Sequence, residues 1–287
     1  YYCLVNAGKS APRLFEEFPA SQFNHAFLCV LLKSDTIWLE CTSQHVPCGY
    51  IGTFTDDRDV LLIDDDGGRI VHTKVYTDMD NKQIRNINVI LDPDGNGTAT
   101  VITKYQGQFF EEIQPVLLGD DSDKKRRMYD KIRISNFEIL DFSHELNKSR
   151  IPEVVENTEV ALRDFGVLVG NRMICKLNLM NQLERLPARM NDRKSDVFVR
   201  RSFIEIDTVT FNIPEGFTVD KLPSGTFINS KYGELKTNVL SKGNTVIFVR
   251  SFNMHKGTYP VSEYNDFVNF YESIHKEDGA RMILNKI

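Results

Sequence analysis

His25 and Glu40 are the pair in this chain whose types and spacing permit acid–base chemistry. They lie in Phe23-Asn-His-Ala-Phe-Leu-Cys-Val-Leu-Leu-Lys-Ser-Asp-Thr-Ile-Trp-Leu-Glu-Cys-Thr-Ser-Gln44. This reads as two strands joined by a tight turn at Lys33-Ser-Asp35. Thiol acyl transfer needs a thiolate, an imidazole that takes and returns its proton, and an acceptor on the other ring nitrogen. Reflecting position 25 across the turn lands near position 43, which brings Glu40 to Thr42 within reach of His25. Directly opposite side chains stand about 5 Å apart. Aligning Glu40 itself calls for a bulge or shear, and an ordinary polar pair between strands fits the same spacing.

The other chemical candidates read more simply as structure. The five cysteines, Cys3, Cys29, Cys41, Cys48 and Cys175, are sparse and odd in number, which argues against a disulfide framework. Cys3, Cys29 and Cys41 sit in apolar, strand-like contexts suited to buried thiols, and no cysteine or histidine pair has zinc-finger spacing. Asp92-Pro-Asp-Gly-Asn-Gly97 resembles half a calcium loop, but its twelfth position is Thr103 rather than a bidentate acid, so it reads as a hairpin turn. Asp64-Asp-Asp66 precedes Gly67-Gly68 and reads as a solvated turn. Lys124-Lys-Arg-Arg127 is interleaved with acids and reads as an exposed helix face. His45, His72, His144, His255 and His275 lack partners at ligand spacing. No metal and no cofactor is called for.

The elements that must position His25 and Glu40 are mainly strands. The chain has 287 residues, 41% hydrophobic and 26% charged, enough for roughly two domains with real cores. Its net charge of -5 gives no global field favouring nucleic acid. No run approaches the ~18 apolar residues of a membrane helix. Residues 1–80 carry 6 basic and 12 acidic side chains, residues 81–287 carry 29 and 28, and the change near Asp78-Met-Asp-Asn-Lys82 marks a domain boundary. Strands are expected at 1–6, 25–32, 36–40, 60–63 and 70–76. Further strands are expected at 84–91, 99–105, 137–142, 159–163, 173–179, 203–211, 226–230, 234–240 and 245–252. Strands at this spacing with turns between them suggest a sandwich. A short charged helix is expected at 121–131. A second is expected from Ser262, its N-cap, to Ile274, with Tyr264, Phe267, Val268, Tyr271 and Ile274 on one face. Residues 281–287 read as a final strand or tail.

The order Phe23-Asn-His-Ala-Phe, turn, Trp38-Leu-Glu-Cys-Thr-Ser43 resembles the His and Asp strands of the transglutaminase-like superfamily, the papain-like thiol fold. The likeness is to the bacterial branch that carries β-sandwich domains around its catalytic core. Pro47-Cys-Gly-Tyr50, Val60-Leu-Leu-Ile-Asp64, Ile70-Val-His-Thr73, Ile213-Pro-Glu-Gly-Phe217, Lys221-Leu-Pro223, Gly257-Thr-Tyr-Pro260 and Glu263-Tyr264 extend it over most of the chain.

The resemblance implies a mainly β (α+β) fold: residues 1–80 as the back half of a papain-like core, residues 81–287 as an antiparallel β-sandwich with one or two helices. It implies His25 as general base and acid, Glu40 as its orienter, and peptide or protein amides as substrates of a cysteine peptidase or acyl transferase. It also suggests a periplasmic or cell-envelope setting. Two features depart from the family: its acid is Asp where this chain has Glu40, and its nucleophilic cysteine lies on a helix ahead of the strand that begins here at Tyr1. The chain opens on Tyr1-Tyr-Cys-Leu-Val-Asn-Ala, a β-type run with no initiator Met or leader. It is therefore expected to be the C-terminal part of a longer protein, inactive alone. The alternative is a non-catalytic binding or scaffolding module that keeps a degenerate site, with sheet edges open to a partner's strand.

Overall fold

The structure is a computed structural model that describes residues 1–8, 11–17 and 20–287. Its first sheet holds β1 (Tyr2–Val5), β2 (His25–Leu31), β3 (Thr36–Leu39), β4 (Asp59–Asp64) and β5 (Gly67–His72), with the single turn α1 (Gly52–Thr55) before β4. The order is β3-β2-β1-β4-β5, every neighbour antiparallel. The strands form where β-branched, aromatic and aliphatic residues run between turn formers. The strand expected to continue to Tyr76 stops at His72, because Thr73 turns its amide to Arg58 O and its hydroxyl to Thr55 O.

Next come β6 (Lys82–Leu91), β7 (Gly97–Gln106), α2 (Gln108–Ile113), α3 (Asp121–Lys131), β8 (Phe137–Asn147) and β9 (Glu153–Leu162). They are followed by β10 (Val167–Val169), β11 (Arg172–Lys176), β12 (Val197–Val199), β13 (Phe203–Asn212), β14 (Phe217–Lys221), β15 (Phe227–Ser230) and β16 (Gly233–Lys242). The chain ends with β17 (Thr245–Met254), β18 (Gly257–Tyr259), α4 (Tyr264–Asp278) and β19 (Arg281–Lys286). Eight strands make one sheet, β15-β16-β17-β13-β6-β7-β9-β8; four make another, β10-β11-β19-β14; β12 and β18 pair alone. The fold is mainly β, of the α+β kind. Among the described residues its strand pairings are antiparallel except one, β6 beside β13, which is parallel.

The two longer helices show local and periodic causes. Asp120 caps α3 by accepting from the Asp123 amide, and acids occupy its first turn, where the macrodipole favours them. α4 starts later than expected. Pro260 leads a 3₁₀ turn closed by Glu263 N to Pro260 O at 2.9 Å, so Ser262 lies inside that turn and no side chain caps the helix. Tyr264, Phe267, Val268 and Ile274 are buried as the periodicity requires.

The cores join through α2. Strand alternation buries Ile87, Val89, Val101, Val160 and Phe248 of the large sheet, and Cys3, Phe27, Val60 and Leu62 of the first, in one continuous cluster. Each such aliphatic or phenylalanine side chain contributes about 1.5–3 kcal/mol of burial. Phe110 of α2 meets Tyr50 edge-on at 6.2 Å. Glu111 accepts from Tyr50 Oη at 2.8 Å and from the Thr53 amide of α1 at 2.7 Å. On its other side α1 is held by Arg201, whose Nε donates to Asp56 at 2.9 Å and whose Nη2 donates to Thr53 O at 2.8 Å.

Candidate active site

His25 opens β2 directly across from Val5 of β1. Asn24, the residue before it, pins this junction: its Oδ1 accepts from the Ala7 amide at 2.7 Å and its Nδ2 donates to Ala7 O at 3.1 Å. The imidazole shares a face with Phe27, whose ring lies nearly parallel at 6.4 Å, and Phe54 of α1 abuts it edge-on at 5.0 Å.

Glu40 follows the last residue of β3. The ladder pairs Leu28 with Leu39 and Cys29 with Trp38. Continued outward, that register sets Thr42 opposite His25 and Phe27 opposite Glu40. His25 and Glu40 are therefore diagonal neighbours on one face, with backbones about 7–8 Å apart. The long carboxylate arm spans the diagonal without a bulge. His25 Nε2 lies 3.1 Å from Oε1 and 3.0 Å from Oε2. Glu40 is fixed in turn by Thr42, whose hydroxyl donates to Oε1 at 2.7 Å and whose amide donates to it at 3.3 Å.

The pair differs from a surface ion pair, since its side chains keep only 13% and 5% of their exposure. An ionised carboxylate only accepts, so in the neutral form of the ring Nε2 would carry the proton and Nδ1 a lone pair. Nδ1 has no hydrogen-bond partner among the described residues. An imidazole so oriented can take a proton at Nδ1 while Glu40 stabilises the resulting cation.

No cysteine hydrogen-bonds to His25 among the described residues. Cys3 and Cys29 are buried, with sulfurs 3.6 Å apart. Burial and the neighbouring thiol push Cys3 up to about 12, and burial does the same to Cys175 in β11. Such thiols are poor nucleophiles at neutral pH. Cys41 and Cys48 are exposed. The Cys41 thiol, just past β3, donates to Leu39 O at 3.5 Å rather than to His25.

Sequence reasoning reached His25 and Glu40 and brought Thr42 within reach of them, but not Phe54, which no spacing rule connects to the pair. It also left His72 and His144 without partners. His72 sits in the β4–β5 hairpin, Nδ1 at 2.7 Å from Asp59 and Nε2 at 3.2 Å from Asp57. Partial burial lowers this imidazole, but the two carboxylates outweigh it and hold His72 above its ordinary value. His144 faces Glu156 in the β8–β9 ladder, 2.9 Å away. Cross-strand register could have found both pairs. The Asp92 loop is a turn, with Asp92 Oδ1 accepting from the Asp94 and Asn96 amides, each at 2.9 Å.

Residues 171–284 match DUF3858, a domain of unknown function with a solved structure. That stretch runs from the β10–β11 turn into β19. Among solved structures, the chain is similar to a Parabacteroides distasonis protein described as a "putative protease", with TM-score 0.46 and 11% identity. The match covers 99% of this chain and 39% of that protein, so this chain spans well under half its length. No curated protein matches the chain. None of its helices is long and apolar enough to cross a membrane, among the described residues.

Proposed function

We propose that this chain is part of a transglutaminase-like protein that cleaves or transfers acyl groups from peptide amides, with His25 as general base and acid and Glu40 as its positioning residue. One observation carries the reading: Glu40 engages Nε2 and leaves Nδ1 bare at the end of a strand, beside Phe54. Nδ1 would accept the proton of a thiol as it attacks the amide carbonyl, then return it to the departing amine. The thiol is not one of the five cysteines here; the family pattern assigns it to a helix ahead of the Tyr1 strand. In this reading residues 1–80 complete the catalytic core and residues 81–287 form its accessory β domain.

The test is peptide-amide turnover by the protein with its upstream region attached. His25→Ala should abolish it, and Glu40→Gln should lower kcat about tenfold or more with KM little changed. The 287-residue chain alone should show no thiol-dependent turnover. Turnover by that chain, lost on Cys3→Ala or Cys41→Ala, would overturn the assignment. Glu40 in place of Asp favours a second reading, a site kept for its shape in a non-catalytic binding module. An intact protein indifferent to His25→Ala would select it.

A further inference from the structure

A cavity of about 210 Å³ lies between the large sheet, α2 and the C-terminal end of α3. One water needs only roughly 10–15 Å³. Beside apolar Phe109, Met128 and Met180 its walls carry an unusual share of charge for a β-sheet core: Arg85 from β6, Glu156 from β9 and Glu205 from β13, with Tyr105 from β7, Lys131 at the end of α3 and Arg133 just after it.

Most of these groups are matched. Arg85 bonds Asp207 at 3.2 Å and Thr103 at 3.1 Å. Glu156 accepts from Tyr105 Oη at 2.9 Å, and Glu205 accepts from Arg250 at 3.3 Å. Lys131 is different. Its Nζ is buried without a hydrogen-bond partner, and it rests 4.3 Å from the centroid of the Tyr105 ring. Arg133 is exposed at the edge of the cavity and has no hydrogen-bond partner among the described residues. Three dry donors on an ammonium are costly unless an acceptor meets them.

We propose that this cavity is a binding site for a small monocarboxylate, held by Lys131 Nζ and the Arg133 guanidinium. The guanidinium fork matches a planar carboxylate. Glu112, Glu156 and Glu205 face the same space and oppose a dianion such as phosphate more strongly than a singly charged carboxylate. Burial lowers Lys131 to about 8, with Glu156 and Glu112 pulling it back up and Arg85 adding to the lowering. An empty site therefore sheds the lysine proton readily, and an arriving carboxylate recovers it. The site does not involve His25, so its failure and that of the proposed activity are separable.

The experiment is isothermal titration calorimetry of the whole chain with sodium acetate and sodium butyrate at pH 8. Ionic strength is held with sodium chloride, in two buffers of different ionisation heat. The expected result is saturable binding with proton uptake, seen as a buffer-dependent enthalpy. Lys131→Met should weaken binding tenfold or more while leaving the unliganded protein at least as heat-stable, since it removes a lysine with no acceptor. Lys131→Arg should bind without the proton uptake. No saturable heat, equal binding of inorganic phosphate, or unchanged binding by Lys131→Met would each overturn the proposal.

Discussion

At the scale of single residues, the imidazole–carboxylate pair makes a sharp demand on His25. With Nε2 against Glu40, the neutral ring should be the Nε2–H tautomer, and its ¹⁵N shifts should show a protonated Nε2 and a bare Nδ1. A ring protonated at Nδ1 instead would sink the proposed base role. Thr42→Val removes the hydroxyl that holds Glu40, a bond to a charged group worth about 1.5–3 kcal/mol when buried and less here, where Thr42 is exposed. The tautomer should become mixed while the fold persists. His72 gives a pH signature. Its folded pKa is raised above the unfolded 6.5, so it adds stability that is full below 6.5 and lost as pH rises through the folded value. Denaturant midpoints across that range should fall with pH in the wild type and flatten in His72→Gln.

At the scale of elements, α1 is a single turn that cannot stand on its own hydrogen bonds. It is held by Glu111 from α2 and Arg201 from the loop before β13, and it carries Phe54 to the His25 ring. Asp56, at its end, is 2% exposed and paired with Arg201. Burial raises the Asp56 carboxyl and Arg201 opposes that rise. Arg201→Ala strands a buried charge and should cost about 3–5 kcal/mol by urea unfolding. The deficit should shrink as pH falls and Asp56 takes up a proton; a deficit constant with pH would contradict this account. Gly52 begins the turn at φ +61, where an added Cβ collides with Glu111 Oε1. Gly52→Ala should therefore destabilise by about 1–3 kcal/mol.

At the scale of the whole molecule, a polar row crosses the large sheet in register. Thr237, Arg250, Asp207, Arg85, Thr103, Glu156 and His144 are successive cross-strand partners from β16 to β8. Charges alternate along it, and Arg250 extends it to Asp278 at the end of α4, 2.7 Å away. Asp207 serves both Arg85, at 3.2 Å, and Arg250, at 3.9 Å. Asp207→Ala leaves two buried guanidinium groups facing each other and should cost about 3–5 kcal/mol, read as a lowered urea midpoint. Replacing Asp207 and Arg85 together by apolar residues should recover part of that loss. Thiol chemistry reports the same packing. Iodoacetamide should label Cys41 and Cys48 in the native state, and Cys3, Cys29 and Cys175 only after unfolding. Native labelling of Cys3 would mean that β1 is not packed as described.

What the sequence by itself determined is local. The Asp92-Pro-Asp-Gly-Asn-Gly97 turn and the acid-led α3 follow from side chains bonding within a few residues of themselves, and the apolar face of α4 follows from its own helical period. His25 and Glu40 were legible for the same reason, since one short hairpin brings them together. Short pieces such as β12, β18 and α2 were not, because three to six residues hold too little periodicity to separate them from loops. Tertiary structure alone decided that β6 lies parallel to β13, that Phe54 closes on His25 and that Lys131 is buried without an acceptor. Those outcomes depend on which distant faces bury each other and which charges must then be met, as Arg85 is met by Asp207 from 122 positions along the chain.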